Sequence, residues 1–415
     1  MSDIWIGPGR LSGSVTPPPS KSEAHRALIA ASLCHSRHLV SGLPEPLSED
    51  LQATKACLDA LTDARPLLDC GESGTTLRLL LPVAGALSSV GSAPVTFTGH
   101  GRLPQRPLGE YRDILTAAGL TLTSAPDAFL PLTLTGRLRP GLYQVPGNIS
   151  SQYVSGLLFA LPLLSGPSDI RLTTPLESAP YVDMTIGTLA RFGIRIDQTP
   201  DGFHVLAPQI YRPTAITIDK DYSQAAFWLT AAYGGCDLNV TGLPDQTAQG
   251  DKAIVALLRL LTESTEGSTV TIDVAQIPDL VPILAVAAAL MPLVTHFVHA
   301  GRLRHKESDR LVTTQQALWE IGADIEVTED GLLIRGAGKS RRTGGLTGGT
   351  VDSWSDHRIA MAVAIAALFT RDGVLLKHAE AVRKSYPTFF HEFSRLGGDI
   401  HELDLGEKSE NKLVW

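Results

Sequence analysis

The sequence is poor in cysteine and aromatic residues, and it has no apolar run long enough to span a membrane. Its four cysteines include no Cys-x-x-Cys pair, which argues against a disulfide framework and favours a reducing compartment. The first residues form neither a basic nor an apolar leader, so no signal peptide is expected. Residues 280–294 are uncharged and apolar. As a helix they would reach only about 22 Å of the ~30 Å hydrocarbon layer. We expect a buried helix there and a cytoplasmic protein.

Several function classes are disfavoured by what is missing. Lys and Arg number 35 against 43 for Asp and Glu, giving a net charge of -8, so a nucleic-acid partner or a polybasic membrane surface is not expected. The 12 histidines are scattered without a His-Glu-x-x-His pattern, and neither a Rossmann fingerprint nor a Gly-x-Ser-x-Gly elbow occurs. We therefore expect no metal and no cofactor. The remaining composition, 43% hydrophobic and 19% charged over 415 residues, is that of a globular chain long enough for two domains.

An internal duplication is visible in the spacing of four glycines. Each follows an apolar helical face and precedes an alternating strand pattern, as a helix-ending glycine does. Gly119 and Gly193 are 74 residues apart, and Gly322 and Gly397 are 75 apart. The two pairs are offset by 203 and 204 residues. The spacing predicts two related halves of ~200 residues, with residues 20–219 inserted between residues 1–19 and 220–415. A two-lobed α/β protein is expected, with a ligand site in the cleft between the lobes.

Cationic side chains recur at or near predicted helix starts, where free N–H groups and the helix dipole favour anions. Ser20 and Glu23 fit a capping box that would start a helix near Lys21. A solvated surface charge explains any one of these cations comparably well. Together, in an acidic protein, they suit ligands that carry three or four negative charges. The set is Lys21, Arg26, Arg106, Lys306, Arg310, Arg358 and Lys384.

Hydroxyl groups and two carboxylates accompany these cations. The stretches 71–76 and 150–152 offer more donors than a helix entry needs, although either could be an ordinary helix start. Ser178, in Ser-Ala-Pro-Tyr, has the pattern of a plain N-cap with proline near the first position. Asp279 could also be an N-cap, or it could act with Glu307 as base and acid.

These residues resemble, in order and spacing, the EPSP synthase (3-phosphoshikimate 1-carboxyvinyltransferase) family of enolpyruvyl transferases, over nearly the whole chain. The resemblance implies an α/β (α+β) fold of two similar lobes, each a threefold βαβαββ repeat (an inside-out α/β barrel), with the active site in the interlobe cleft. The motifs that carry it are Ser20-Lys21-Ser22…Arg26, Gly71-Glu72-Ser73-Gly74-Thr75-Thr76…Arg78, Gln105-Arg106-Pro107, Ser150-Ser151-Gln152, Lys306-Glu307-Ser308-Asp309-Arg310, Asp356-His357-Arg358 and Lys384-Ser385-Tyr386-Pro387.

The same resemblance implies the activity and the role of each residue. Phosphoenolpyruvate would give its enolpyruvyl group to the 5-hydroxyl of shikimate 3-phosphate, with Asp279 as base, Glu307 as acid and Lys21 sharing the base role. It implies no cofactor, a monomer and possible inhibition by glyphosate at Gly74. Shikimate 3-phosphate would contact Lys21, Ser22, Arg26, Ser150, Ser151, Gln152, Ser178, Tyr181, Asp279, Arg302 and Lys306. Phosphoenolpyruvate would contact Lys21, Gly74, Arg106, Gln152, Arg310, Arg358 and Lys384.

Two departures and two alternatives accompany this resemblance. Glu72 and Arg302 stand where many family members have Asn, which bears on substrate affinity and glyphosate sensitivity. UDP-N-acetylglucosamine enolpyruvyltransferase is the nearest alternative, but residues 99–106 contain neither the Cys nor the Asp that is usual there. A non-catalytic phosphometabolite-binding protein would be favoured if Lys21, Asp279 and Glu307 were lost, and all three are present.

Overall fold

The structure is a computed structural model that describes residues 3–89, 91–337 and 345–403. Its helices are α1 Lys21–Ser32, α2 Glu49–Ala60, α3 Gly74–Leu87, α4 Gly109–Ala117, α5 Ser151–Ala160, α6 Ala179–Arg191, α7 Tyr222–Gly234, α8 Ala253–Glu263, α9 Val281–Ala289, α10 Arg310–Glu320, α11 His357–Ala367 and α12 Phe389–Arg395. Its strands are β1 Asp3–Ile6, β2 Ser12–Val15, β3 Val40–Ser41, β4 Leu67–Asp69, β5 Val95–Thr98, β6 Leu120–Ser124, β7 Leu132–Gly136, β8 Leu142–Val145, β9 Ser168–Leu172, β10 Asp197–Thr199, β11 Gly202–Val205, β12 Ile216–Thr217, β13 Asp237–Val240, β14 Thr269–Asp273, β15 Val294–Val298, β16 Asp324–Val327, β17 Leu332–Arg335, β18 Gly349–Asp352, β19 Val374–Lys377 and β20 Ile400–Leu403.

The chain divides into two compact units. One comprises Met1–Pro18 with Lys220–Trp415, and the other is the continuous segment Pro19–Asp219. Each unit has a separate hydrophobic core. We call them the split unit and the continuous unit.

The continuous unit contains two sheets of identical topology. Their strand orders are β4-β5-β7-β6 and β8-β9-β11-β10. In each sheet the first two strands are parallel and the last two pairings are antiparallel. Helices alternate with the strands, so each sheet is a βαβαββ repeat. A third element of this unit is the two-stranded parallel pair β3–β12.

The split unit repeats this arrangement, with one change that the discontinuous chain imposes. One sheet has the order β14-β15-β17-β16 and another the order β18-β19-β1-β20. In the second sheet the N-terminal strand β1 occupies the place that β17 has in the first. It pairs antiparallel with both β19 and β20. The third element is again a parallel pair, β2–β13. The predicted threefold repeat is therefore present in both units, with the third member reduced to two strands.

Helix α9 belongs to the hydrophobic core of the split unit. Helix α9, within the apolar segment predicted to be buried, is buried at all nine positions. A helix that is apolar on every face needs neighbours all round, and α9 packs on α7 and α11. The prediction of a buried helix is confirmed. None of the helices in the described ranges has the length and hydropathy required to cross a membrane.

The four glycines that revealed the duplication all adopt positive φ. The angles are 102° at Gly119, 80° at Gly193, 91° at Gly322 and 94° at Gly397. They follow the ends of α4, α6, α10 and α12, each ahead of a strand. A left-handed residue after a helix strongly favours glycine, because a Cβ would clash there. The predicted helix ends are confirmed at all four places.

Candidate functional site

The start of α1 places a lysine beside an aspartate of α2. Ser20 is the N-cap and accepts from the backbone N–H of Glu23 at 3.4 Å, so the helix begins at Lys21 as predicted. Only half of the capping box forms, because the Glu23 carboxylate accepts from the N–H of Asp219 instead. Lys21 Nζ lies 2.5 Å from Asp50 Oδ2. Lys21 is thus held by a neighbouring helix at the first turn of α1.

Arg26 joins α1 to α6. Its side chain is buried, and it donates to Thr185 Oγ1 at 2.8 Å, to the carbonyl of Ser22 at 2.8 Å and to the carbonyl of Tyr181 at 2.9 Å. Burial lowers its pKa to about 10, although Tyr181 and Glu23 act in the opposite direction. Arg26 is therefore still charged near neutral pH. We call Ser22, Arg26, Tyr181 and Thr185 the Arg26 cluster, within which the structure brings together three predicted residues.

The predicted serines differ in how they meet their helices. Ser150 caps α5 and accepts from the N–H of Gln152 at 3.3 Å, and Ser151 is buried at the first position of that helix. Ser178 precedes α6 with φ 52° and ψ 41°, is fully buried and makes no capping hydrogen bond. The expectation of an ordinary cap at Ser178 is wrong, because a capping side chain needs an extended backbone. A left-handed non-glycine residue costs about 1–3 kcal/mol, and such residues cluster at functional sites.

Donors converge on the first turn of α3. Ser73 caps this helix, and within the described residues the N–H groups of Gly74 and Thr75 have no acceptor. A Cβ built on Gly74 would lie 2.6 Å from Arg78 Nη1 and 2.7 Å from Arg106 Nη1. Two guanidinium groups can approach the helix start this closely only because residue 74 lacks a side chain. Both are cations at the positive end of a helix, so the arrangement is suited to a bound anion.

Gln152 of α5 belongs to the same group. Its Oε1 accepts from Arg78 Nη1 at 3.2 Å, and its Nε2 donates to Thr75 Oγ1 at 2.8 Å. We call Ser73, Gly74, Arg78, Arg106 and Gln152 the Gly74 cluster. Arg78 was not among the predicted site residues. Its position one turn after Gly74, in the same motif, is the signal that could have identified it.

Glu72 lies against the loop that carries Arg106. A Cβ built on Gly101, whose φ is 60°, would lie 2.4 Å from the Glu72 carboxyl carbon. Its side chain is accommodated because residue 101 is glycine. The unusual carboxylate thus contacts the loop that leads to the Gly74 cluster.

Arg310 of the split unit gathers three carboxylates. It is 1% exposed, and it donates from Nε to Asp356 Oδ2 at 2.8 Å, from Nη1 to Asp279 Oδ1 at 2.8 Å and from Nη2 to Glu307 Oε2 at 2.5 Å. Burial opposes the charge, but Asp356, Glu307 and Asp279 together hold the pKa of Arg310 above its usual value. The two carboxylates predicted as base and acid therefore lie on neighbouring nitrogens of one guanidinium group.

Asp279 contacts two further cations. Lys306 Nζ and Arg358 Nη2 each lie 3.3 Å from one of its oxygens. Asp279 lies in a 3₁₀ turn, Pro278–Leu280, and the N-cap of α9 is Leu280. The N-cap interpretation of Asp279 is therefore wrong. Burial lowers the pKa of Lys306 to about 8, with Asp279 acting in the opposite direction and Arg302 adding to the decrease.

Asp356 organises the rest of this group. Its carboxylate is fully buried, caps α11 by accepting from the N–H of Arg358 at 2.9 Å and also accepts from Ser308 Oγ at 2.9 Å. Ser355, the residue before Asp356, has a φ of 54°, and its carbonyl oxygen accepts a hydrogen bond from Lys384 Nζ. Asp356 was quoted in a motif but not predicted as a site residue. We call Asp279, Lys306, Glu307, Arg310, Asp356 and Arg358 the Arg310 cluster.

The chain is similar to known proteins in both sequence and structure. The family described as EPSP synthase (3-phosphoshikimate 1-carboxyvinyltransferase) matches residues 6–67 and 62–393. Two relatives named 3-phosphoshikimate 1-carboxyvinyltransferase, from Clostridium acetobutylicum and Clostridium kluyveri, are 40% and 39% identical. Each alignment covers 98% of this chain and 100% of the relative.

Two solved structures share the fold. The EPSP synthase of Acinetobacter baumannii has a TM-score of 0.76 at 24% identity, covering 97% of this chain and 100% of that one. The enolpyruvyl transferase NikO from Streptomyces tendae has a TM-score of 0.71 at 18% identity, covering 97% of this chain and 98% of that one. At these identities the structures show a common architecture.

Proposed function

The chain belongs to the EPSP synthase (3-phosphoshikimate 1-carboxyvinyltransferase) family, and we propose that its three clusters bind the two substrates of that reaction. The enzyme transfers the enolpyruvyl group of phosphoenolpyruvate to the 5-hydroxyl of shikimate 3-phosphate and releases phosphate, in the shikimate pathway to chorismate and the aromatic amino acids. One observation carries the assignment of the residues. Arg310 holds Asp279 and Glu307 on its two terminal nitrogens, so a base and an acid are fixed beside each other.

Phosphoenolpyruvate binding is assigned to the first turn of α3 and to the cations around Arg310. The first turn of α3 offers two backbone N–H groups and two guanidinium groups to the phosphate, the arrangement that an oxyanion needs. Arg310 makes four hydrogen bonds to carboxylates, which leaves one of its five N–H groups for the substrate carboxylate. The proposed contacts are Lys21, Gly74, Arg106, Gln152 and Lys384 for the phosphate side, and Arg310 with Arg358 for the carboxylate.

Shikimate 3-phosphate is assigned to the Arg26 cluster and the capping serines. Arg26 is already fixed by its contacts with Thr185 and two carbonyls, so little side-chain entropy is lost when it binds a carboxylate. Lys306, whose pKa is lowered to about 8, suits a phosphate dianion, because the negative charge of the phosphate favours the charged form of the lysine. The proposed contacts are Lys21, Ser22, Arg26, Ser150, Ser151, Gln152, Ser178, Tyr181, Asp279, Arg302 and Lys306.

The chemistry needs one proton removed and one delivered. Asp279, with Lys21 sharing the role, takes the proton of the 5-hydroxyl while its oxygen bonds to C2 of phosphoenolpyruvate. Glu307, in its acid form, gives a proton to C3, and a tetrahedral ketal results. Return of a C3 proton to Glu307 restores the double bond and expels phosphate. The surrounding cations offset the repulsion between the polyanionic substrates.

Phosphate release from phosphoenolpyruvate, with and without shikimate 3-phosphate, tests the acceptor. Release must require shikimate 3-phosphate and must not occur with UDP-N-acetylglucosamine. Lys21→Met and Arg310→Ala are expected to abolish turnover. Lys55→Met and Arg335→Ala, which alter exposed cations of the same two units, serve as matched controls. A folded Arg310→Ala protein with normal activity would refute the assignment of the substrate carboxylate to Arg310.

Turnover in D₂O tests the role of Glu307. Protonation at C3 by a solvent-exchanged acid places deuterium in the enolpyruvyl methylene, which mass spectrometry detects in the product and in recovered phosphoenolpyruvate. Glu307→Gln preserves the shape but cannot donate a proton, so the rate of incorporation is expected to fall at least about 100-fold. Incorporation at the normal rate would assign the proton to another group.

We also propose that glyphosate inhibits the enzyme at the Gly74 cluster, and that the protein is a cytoplasmic monomer. The two guanidinium groups that approach residue 74 suit a phosphonate as well as a phosphate, because both ligands are oxyanions. The four cysteines are free thiols, as suits a reducing compartment. An inhibition curve that stays flat into the millimolar range would reject the first proposal. A sedimentation mass well above 44.3 kDa would reject the monomer.

A further inference from the structure

A chain of hydrogen bonds runs through the continuous unit from α1 to the first turn of α3. His25 Nδ1 lies 2.7 Å from Thr54 Oγ1 of α2, which lies 2.6 Å from Thr76 Oγ1. Thr76 in turn donates to Ser73 Oγ at 2.8 Å. All four side chains are at most 1% exposed, so solvent does not compete for these bonds. We call these four residues the His25 chain.

The direction of the chain follows from the number of protons available. A hydroxyl has one hydrogen to donate, and Thr76 donates it to Ser73 Oγ at 2.8 Å in preference to the Asp50 carbonyl oxygen at 3.5 Å. With that hydrogen on Ser73, we infer that Thr54 donates to Thr76 across the 2.6 Å contact and that His25 Nδ1–H donates to Thr54 across the 2.7 Å contact. Burial, then the charges of Lys21 and Arg26, hold the pKa of His25 well below its usual value. The ring is thus neutral, with its one hydrogen on Nδ1.

The far end of the chain leaves a hydroxyl that can only donate. Ser73 Oγ accepts from both the hydroxyl and the backbone N–H of Thr76, the latter at 3.2 Å. Its acceptor capacity is filled, while its own hydrogen has no acceptor in the ranges that the structure describes. Ser73 directly precedes Gly74, so its hydroxyl lies beside the helix start at which two N–H groups and two guanidinium groups converge.

We propose that Ser73 donates a hydrogen bond to the phosphate of phosphoenolpyruvate and that His25, Thr54 and Thr76 are positioning residues that fix its hydroxyl as a donor. The inference rests on the proposed binding of phosphoenolpyruvate at the Gly74 cluster. A hydroxyl that can only donate discriminates in favour of ionised phosphate oxygens, which only accept, over a protonated phosphate oxygen. The His25 chain would thus make the preference for an ionised phosphate depend on a neutral, buried histidine.

The same helix α2 also orients Lys21. Asp50, one turn before Thr54, contacts Lys21 Nζ at 2.5 Å through its carboxylate. Its carbonyl oxygen lies 3.5 Å from Thr76 Oγ1. One helix therefore positions both a cation and a hydroxyl that we assign to the same substrate.

Thr54→Val tests the chain without touching the helix cap. Valine has nearly the shape of threonine but neither donates nor accepts, so Ser73 keeps its bond from the Thr76 N–H and loses its enforced direction. Thr54→Ser restores the hydroxyl. Thr188→Val is the matched control, because Thr188 is also buried in this unit but donates to the carbonyl of Met184, outside the chain. A melting curve of each variant verifies folding.

Steady-state kinetics with each substrate varied in turn give the readout. Thr54→Val is expected to raise the KM for phosphoenolpyruvate about tenfold, the size of one weakened hydrogen bond to a charged group. The KM for shikimate 3-phosphate is expected to stay within about twofold of the wild-type value, since its contacts are unchanged. Thr54→Ser should return to the wild-type value. Ser73→Ala, which removes the donor itself, should raise the KM for phosphoenolpyruvate at least as much.

Three outcomes would overturn the inference. They are an unchanged KM for phosphoenolpyruvate in both Ser73→Ala and Thr54→Val, an equal rise for both substrates, and an equal effect of Thr188→Val. Arg106→Ala, measured in parallel, separates this failure from failure of the proposed site. If Arg106→Ala raises the KM for phosphoenolpyruvate and Ser73→Ala does not, only the inference fails. If neither variant does, the assignment of the Gly74 cluster fails as well.

Discussion

Replacing Asp356 by alanine is expected to destabilise the split unit by about 4 kcal/mol. The buried carboxylate accepts two hydrogen bonds from Arg310, at 2.8 and 3.3 Å, one from Ser308 and one from the N–H of Arg358. Removing one partner of a buried ion pair costs about 3–5 kcal/mol. We take the lower end, because Arg310 retains two other carboxylates, and add about 1 kcal/mol for the lost N-cap.

Differential scanning calorimetry measures this loss. For a unit of roughly 200 residues, each kcal/mol shifts the melting midpoint by about 2–4 °C, so we expect a fall of about 8–16 °C. Asp356→Asn keeps a capping oxygen and is expected to recover only about 1 kcal/mol of the loss. Asp372→Ala is the control, since its carboxylate forms an exposed pair with Arg371 and its removal should leave the midpoint unchanged.

A midpoint for Asp356→Ala within about 2 °C of the wild-type value would refute this reasoning. It would mean that the desolvation of Asp356 cancels its attraction to Arg310, as happens in some buried ion pairs. The Arg310 cluster would then be retained for geometry alone.

Three further predictions follow from single residues. Gly74→Ala places a Cβ within 2.7 Å of two guanidinium nitrogens. The KM for phosphoenolpyruvate should therefore rise about tenfold or more, while the KM for shikimate 3-phosphate stays constant. Equal changes in the two KM values would contradict this prediction. Lys306 loses its charge above its pKa of about 8, so a pH profile of kcat/KM for shikimate 3-phosphate should fall above that pH. In the Lys306→Arg variant the side chain stays charged, and the profile should not fall there. Gly187→Ala, in open space on α6, should raise the melting midpoint by stabilising the helix about 0.5–1 kcal/mol. Gly193→Ala, at φ 80°, should lower the midpoint, and the same sign for both would contradict the backbone argument.

The sequence was sufficient for features that depend on local chemistry and on repetition. The start of α1 followed from Ser20, and the ends of four helices followed from glycines whose left-handed backbone has few substitutes. The offset of 203 residues between Gly119 and Gly322 indicated the duplication. These signals need no knowledge of what lies far away in the chain.

Other features depend on distant partners and gave no local signal. Nothing around Asp50 indicates that it holds Lys21, 29 positions earlier. Asp356 has the pattern of an N-cap and does cap α11. Its contact with Arg310, however, joins residues 46 positions apart, and the local sequence does not indicate it. Ser178 also has the pattern of a cap, but its backbone is left-handed. In such cases tertiary contacts decide between roles that the local sequence leaves equivalent.

The place of β1 in its sheet determines an order of events during synthesis. Trp5 pairs with Leu375, 370 residues later, and with His401. At about 5–20 residues per second, the ribosome needs roughly 20–75 s to deliver the partner of the first strand. The continuous unit, complete at Asp219, can close its core within that interval. Strand β1 therefore gains its sheet partners only after an entire unit has been synthesised, and Ile4 and Ile6, which are buried in the finished sheet, stay exposed for that time.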